Sequence, residues 1–457
     1  MMKKWTLAAV SACLLVGLAA CQSGSGPAAE TKEPALEKTK ITYWTFGRPD
    51  ADYKREKIAK FEAANPDIEV EMTVMAENYN QSLDLAFASN QAPDVFDARP
   101  SNIPTFYKKG YLEPLDGYMT DEHKKKFAGL LVDQVNMMDG QTFSFPNTAF
   151  TSRLIYNVDL FEKAGIKAPP TTMQEMVEIA AKLTEAGKDS GAYGFGMNLK
   201  NPSNAYDKSI KVISEISGIG GQGYNFQTGK YDFTGHKPIL EALRQIKEDG
   251  SMIPGAETLD IDPLRAQFAE GKIGMYLSLS AEVGVYRDQF PAKIRWSTAI
   301  VPSIDGNVKG AMDMLNGGTW LSINKNSPNK DKAWKFFDFM YSDEVLQGYY
   351  ETGQGISIVP SVLAQAKQPD APNIEGFFPT KYDTVWPVAP QVNPEGLTTP
   401  NVYANYILGG GDLDKLLEDL GARYNAALDK GKSSGAIKIN PMPDFDPISL
   451  QGVMSEK

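Results

Sequence analysis

Cysteine is nearly absent: two occur in 457 residues, Cys13 and Cys21, both at the N-terminal end. Beyond them the chain has no means to form a disulfide or a thiolate metal or redox site. A chain this long buries a core large enough to fold without covalent staples. Histidine is almost as scarce, with His123 and His236 alone. No His-x-x-x-His or Cys-x-x-Cys pair exists, which removes the usual zinc ligand sets. His123 lies in the run Asp-Glu-His-Lys-Lys-Lys and is expected in solvent, while His236 follows Thr234-Gly235 at a predicted helix start and is expected to be structural. Gly-x-Ser-x-Gly is missing, and with it the common nucleophile elbow. No Walker-type phosphate loop is present. Ser327-Pro-Asn-Lys330 matches a Ser-x-x-Lys string but reads as a helix cap and first turn. Gly218-Ile-Gly-Gly-Gln-Gly223 lacks a clear strand before it and a lysine within it, and reads as a loop. Basic clusters are lacking too. A formal charge of −11 argues against nucleic acid and against electrostatic docking on anionic lipid. One catalytic apparatus needs no local spacing, a carboxylate pair across a cleft; with 57 acidic residues a glycoside hydrolase stays open.

What is present begins with Lys3 and Lys4, an apolar run over residues 5–19, and Leu18-Ala19-Ala20-Cys21. This is the layout of a secretory signal (1–20), too short to span a bilayer, which takes roughly 20 apolar residues. Its end resembles the lipobox of bacterial lipoproteins, in which the cysteine is diacylated and becomes the mature first residue. That resemblance makes Cys21 a lipid anchor holding the chain at the outer face of the cell membrane, since two acyl chains suffice for stable attachment. Residues 21–40 are Gly, Ser, Pro, Glu, Lys and Ala with almost nothing apolar, a flexible tether.

From Ile41 the pattern alternates strand and helix. Ile41 to Phe46 is β-branched and aromatic and reads as a buried strand; a helix over about 52–64 follows, stopped by Asn65-Pro66. Ile68, Val70, Met72 and Val74 alternate with polar residues, the period of a half-buried strand. A helix at about 79–89 leads to the short strand within Ala92-Pro-Asp-Val-Phe-Asp97. Further strands are read at Leu154–Tyr156, Ile273–Leu277 and Ile294–Ile300. Thr172-x-x-Glu175 is a capping box, and helices follow at about 331–341 and 412–429. The Pro-rich stretch 369–400 reads as a long ordered connection. Such alternation predicts α/β architecture with mostly parallel sheets covered by helices.

Aromatic residues make up 10% of the chain. Phe46, Phe150, Trp320 and Trp386 fall at strand ends or in Gly/Pro-rich loops, where open α/β sheets bind ligands. An aromatic face packs on the C–H face of a sugar ring while neighbouring polar groups take its hydroxyls. Trp44 and Trp334 are expected mainly in the core.

Several segments in order resemble the family 1 extracellular solute-binding proteins, the group of the maltose-binding and multiple-sugar-binding proteins, over about residues 40–430. They are Glu56-Lys-Ile-Ala-Lys-Phe-Glu-Ala-Ala-Asn-Pro-Asp-Ile-Glu-Val70, Ala92-Pro-Asp-Val-Phe96, Lys109-Gly-Tyr-Leu-Glu-Pro-Leu-Asp116, Arg153-Leu-Ile-Tyr-Asn-Val-Asp-Leu-Phe-Glu-Lys-Ala-Gly165, Phe268-Ala-Glu-Gly-Lys-Ile-Gly-Met275, and Asn316-Gly-Gly-Thr-Trp-Leu-Ser-Ile323 with Ala333-Trp-Lys-Phe-Phe337. The resemblance implies a two-lobed periplasmic-binding-protein-like fold (type II) whose lobes are joined by hinge crossings near Asn147–Thr151 and Ile300–Ser303. Lobe 1 would combine 41–149 with 302–360, and lobe 2 152–300 with 361–457. It also implies a monomer without cofactor or metal that captures a sugar or oligosaccharide and hands it to the permease subunits of an ABC importer. Transferred position by position, the cleft would be lined by Phe46 and Arg48, Asp97 and Arg99, Phe150, and the stretch Ser278–Glu282 with Ser280 and Glu282. Many sugar-binding members carry Gly-Pro-Trp after the last of these strands; here Ser278-Leu-Ser-Ala-Glu282 stands instead, which points Glu282 toward a donor-rich or cationic ligand.

Overall fold

A computed structural model describes residues 38–448 apart from 76, 100–101, 129, 132–134, 315–319, 370, 385, 387–388 and 438–440. Cys21, the signal and most of the tether lie outside the described residues. Eight strands build the two main sheets: β1 (Thr39–Thr45), β2 (Ile68–Val74), β3 (Val95–Ala98), β4 (Ser152–Asn157), β5 (Tyr193–Phe195), β6 (Ile273–Leu279), β7 (Trp296–Ala299) and β8 (Trp320–Ile323).

Lobe 1 holds the order β8-β3-β1-β2. Ile41 and Tyr43 of β1 and Ile68 and Val70 of β2 point to one face, where Phe61 of helix Ala51–Ala64 and Phe336 and Phe337 of helix Lys330–Met340 cover them. Phe96 and Trp320 turn to the other face against Leu83 and Phe106. The period-two alternation of β2 is what sends its valine and isoleucine inward and its glutamates out.

Lobe 2 holds the order β7-β4-β6-β5. Its pairings depart from the expected parallel sheet: β6 runs parallel to β5, but β4 is antiparallel to both β6 and β7. The cause is directional. β4 starts at the crossing from lobe 1, where β6 ends, so the two must run in opposite senses. Helix Met173–Gly187 covers this sheet and begins with the predicted capping box: Thr172 accepts from the Glu175 N–H and the Glu175 side chain from the Thr172 N–H. Helices Thr399–Gly409 and Leu413–Ser433 bury Tyr403, Ile407, Leu417 and Leu420 in the same core.

The second crossing is displaced from Ile300–Ser303. Val301 and Met312 belong to the lobe 2 core, Ser303 bonds the backbone of Thr171 and Met173, and Met312 pairs with Asp383. The chain is therefore still part of lobe 2 at Asp313 and reaches lobe 1 by Trp320. A return follows helix Pro360–Leu363, whose Val362 packs in lobe 1, whereas Phe377 packs in lobe 2. The first crossing touches the chain just before that helix: Thr148–Ala149 pair antiparallel with Ile356–Ser357.

Both histidines are engaged in hydrogen bonds away from the cleft. His123 is not in open solvent: it is the third residue of helix Asp121–Lys126, its Nδ1 accepts from the Thr120 N–H, and its Nε2 lies 2.7 Å from Asp338. His236 is buried between the Tyr403 hydroxyl at 2.6 Å and the Gly220 carbonyl, and burial lowers its pKa to about 4. Ser327 is a bridge rather than the helix cap, donating to Asp94 at 2.5 Å while Asn329 opens the helix. Among the described residues no helix is long and apolar enough to cross a membrane.

Candidate ligand cleft

Between the lobes lies a cavity of about 210 Å³ with walls from both. The lobe 1 wall follows the carboxyl ends of β1 and β3, the position at which open α/β sheets present ligand sites. After β1 the chain turns through Phe46-Gly47-Arg48-Pro49 into helix Ala51–Ala64. A side chain at Gly47 would collide with the Asp50 carboxylate, so glycine lets this turn close over it. Phe46 lies half-buried, edge-on to Tyr79 at 5.1 Å, with the Arg99 guanidinium 4.9 Å over its ring. Tyr349 and Gln354 complete the wall, and Phe150 stands at the crossing.

Beneath that wall is a closed charge cluster. Lys54 donates to Thr45 at 2.8 Å and lies 3.1 Å from Asp50 and 3.4 Å from Asp97. Asp97 also accepts from Tyr43 at 2.6 Å and Thr45 at 2.5 Å. Burial opposes the charge on Lys54, yet Asp50 and Asp97 hold its pKa above the usual lysine value. Asp50 accepts from Tyr349 through Oδ2, and its buried Oδ1 has no hydrogen-bond partner.

The lobe 2 wall comes from helices Pro202–Lys208 and Ile210–Ile216, broken at Ser209, and from the segments around Arg265 and the end of β6. Lys211 bonds Asp313 at 2.9 Å and lies 3.3 Å from Glu215. Arg265 grips Glu282 with two bonds, Nε to Oε2 at 2.9 Å and Nη2 to Oε1 at 2.8 Å, and Ser278 donates to the same carboxylate at 2.7 Å. Burial works against ionisation of Glu282, but Arg265 and Lys208 keep its carboxyl below the usual range. Across the rim Arg48 of lobe 1 meets Asp262 of lobe 2 at 2.5 Å, and Arg287 of lobe 2 donates to the Thr352 carbonyl of lobe 1 at 2.9 Å.

Of the expected site residues, Phe46, Arg99 and Phe150 line this cavity and Arg48 closes its rim. Asp97, Ser280 and Glu282 sit one layer behind. Asp97 is enclosed by Tyr43, Thr45 and Lys54; Ser280 pins the crossing through the Thr151 backbone; Glu282 is covered by Arg265. The two tryptophans lie elsewhere. Trp320 is 1% exposed in the lobe 1 core, its indole N–H on the Thr148 carbonyl at 3.2 Å. Trp386 is buried in lobe 2 between Phe226 and Phe445, beside a separate concavity floored by the Gly218–Gly223 loop. Sequence reasoning missed Asp50, Asp207, Lys208, Lys211, Arg265 and Tyr349. A signal existed for the lysines: Lys208 and Lys211 interrupt a stretch of apolar residues, Ala205-Tyr206 and Ile210 to Ile216, that otherwise reads as core.

The sequence profile of the bacterial extracellular solute-binding proteins matches residues 48–347. A putative binding protein of Brucella abortus is 26% identical over 412 residues, 86% of this chain and 94% of that protein. The maltotriose-binding protein of Pyrococcus abyssi is 27% identical over 353 residues, 76% of this chain and 72% of its own. In structure, an ABC substrate-binding protein of Listeria monocytogenes in complex with cycloalternan superposes with a TM-score of 0.67 at 22% identity, covering 87% of this chain and 99% of that one. The profile takes in strands of both sheets and the cleft residues from Arg99 to Asp313, and the chain belongs to the bacterial extracellular solute-binding protein family.

Proposed function

We propose that the cleft captures an extracellular sugar or oligosaccharide and that the loaded protein delivers it to the permease of an ABC importer. The observation carrying this reading is the make-up of the cleft. Aromatic rings (Phe46, Phe150, Tyr349) share one cavity with polar side chains, among them Asp207, Asn204 and Gln354. Sugar hydroxyls are strongly hydrated, so a shallow groove would exchange water bonds for protein bonds with little net gain. Enclosure between two walls expels water and lets ring faces and polar groups act together. Relatives named for maltotriose and a structural neighbour holding cycloalternan support a saccharide of one or more rings. The paired strands at Thr148–Ala149 and Ile356–Ser357 serve as the hinge, and differential affinity for the closed state supplies the shift. The reading includes no turnover, a monomer, and attachment to the outer face of the cell membrane through a lipidated Cys21.

A thermal-shift screen over a glycan panel, followed by calorimetry on each hit, tests it. A hit at about 100 times its dissociation constant raises stability by about 2.7 kcal/mol. Scattering should show a smaller radius of gyration with that ligand bound, and long incubation should release no new reducing ends. Reducing ends appearing steadily would move the protein to the glycoside hydrolases. A panel without a single hit would end the carbohydrate reading.

A further inference from the structure

Three lysines line or underlie the cleft, and one differs from the others. Lys54 lies between Asp50 and Asp97, and Lys211 between Asp313 and Glu215. Among the described residues Lys208 has one carboxylate within ion-pair distance, Glu282 at 3.9 Å, beyond hydrogen-bond reach. That carboxylate is already held by Arg265 and Ser278. The Lys208 side chain is 8% exposed and its ammonium donates no hydrogen bond to a described residue, although it lines the cavity. Arg265 lies on the same wall. Arg99 faces it from lobe 1; its guanidinium likewise donates no hydrogen bond to a described residue, lies over the Phe46 ring and is held charged in part by Asp207. Burial lowers the pKa of Lys208 to about 8, with Arg265 and Arg99 adding to that effect against Glu282. Two further carboxylates bear on it: Asp262 is engaged by Arg48 and Arg265, and Asp207, on the same cavity wall, is shared with Lys211 and Arg99. A buried ammonium without an acceptor is costly unless an anion arrives to pair with it.

We infer that Lys208, flanked by Arg265 and Arg99, is the receptor for an anionic group on the ligand, so that the cleft is built for an acidic saccharide, one carrying a carboxylate or a phosphate. This deepens the carbohydrate reading and rests on it. The anion takes charge-assisted bonds from Lys208 and the free guanidinium N–H groups. The hydroxyls of the same ligand turn to Asp207, Asn204 and Gln354 on the cavity wall. Glu282 then has a definite part: it orients Arg265 from behind and offsets part of the positive charge when the cleft is empty.

Matched pairs test this on the mature chain by titration calorimetry. The carboxylate arm compares digalacturonate with its neutral dimethyl ester; the phosphate arm compares glucose 6-phosphate with glucose. The acidic member of at least one pair should bind ten or more times more tightly than its neutral partner, and the arm that responds identifies the anion. Lys208→Met should bring that ratio close to one. Arg99→Gln, at an exposed position where folding is not at stake, should reduce it severalfold. Neutral members binding as well as acidic ones would overturn the inference and leave the carbohydrate reading standing. A ratio untouched by both substitutions would overturn the assignment of the site. Silence in every arm overturns the inference for these anion classes, and the glycan panel then decides separately whether the carbohydrate reading falls with it.

Discussion

Lys54 under the lobe 1 wall and Lys208 in the lobe 2 wall are both buried ammonium groups within one cleft, yet their surroundings are opposite. Lys54 has two carboxylates and a hydroxyl within bonding distance and is held charged. Lys208 has one distant carboxylate already taken by an arginine, and burial lowers its pKa to about 8. The Lys54 cluster of lobe 1 is thus closed on itself, a floor under Phe46 and the Arg99 guanidinium that faces the cavity. Lobe 2 arrives with a cation left over. Buried charge serves as structure where its partners come from the same lobe, and as recognition where the partner must come from outside.

The sharpest way to break this contrast is to neutralise each lysine. Lys54→Met leaves Asp50 and Asp97 buried without their cation and should lower unfolding free energy by about 3–5 kcal/mol in urea denaturation. A core control separates stability from binding: Trp320→Ala should cost a similar ~3–5 kcal/mol. Phe46→Ala, half-buried at the cleft, should cost little stability while weakening ligand binding about 10- to 100-fold, or ~1–3 kcal/mol. Lys208→Met should act in the reverse sense and raise ligand-free stability by roughly 1–3 kcal/mol at pH 7, because it removes a charge that folding leaves unpaired. The gain should shrink as pH rises from about 8 toward 10.5, where the folded wild-type lysine sheds its proton before the unfolded one does. A Lys208→Met protein less stable than wild type would erase the distinction. Smallest of all, Arg48→Ala at the rim should change stability by less than about 1 kcal/mol, since Arg48 is largely exposed. Losing that contact should still enlarge the radius of gyration without ligand; an unchanged scattering profile would show that the rim pair does not hold the lobes together.

The strands and helices that carry local periodicity were legible without a structure. The alternation in β2, the capping box at Thr172 and the apolar stripe of the final helix each depend on neighbours a few residues away, so they follow from spacing alone. Phe46 and Phe150 were placed at the cavity for a related reason, since strand ends in an open α/β sheet point at the ligand side, and Arg99 by the family resemblance. The misplaced residues share a different cause. Trp320 and Trp386 look alike in sequence, exposed loop aromatics, and both are core, because burial depends on what folds over them from segments 172 and 75 residues away. Asp97 and Glu282 were chosen as carboxylates near the cleft, but whether a carboxylate is free or neutralised depends on which cation the fold brings beside it, Lys54 or Arg265. The lysines themselves, Lys208 and Lys211, sit three residues apart on one wall; Lys211 has Glu215 one turn on and distant Asp313, whereas Lys208 has distant Glu282 at 3.9 Å. Local spacing determined the elements and the α/β class, and the ordered run of resembling segments pointed to the family; long-range charge pairing, invisible to any short window, decided which groups remain for a ligand.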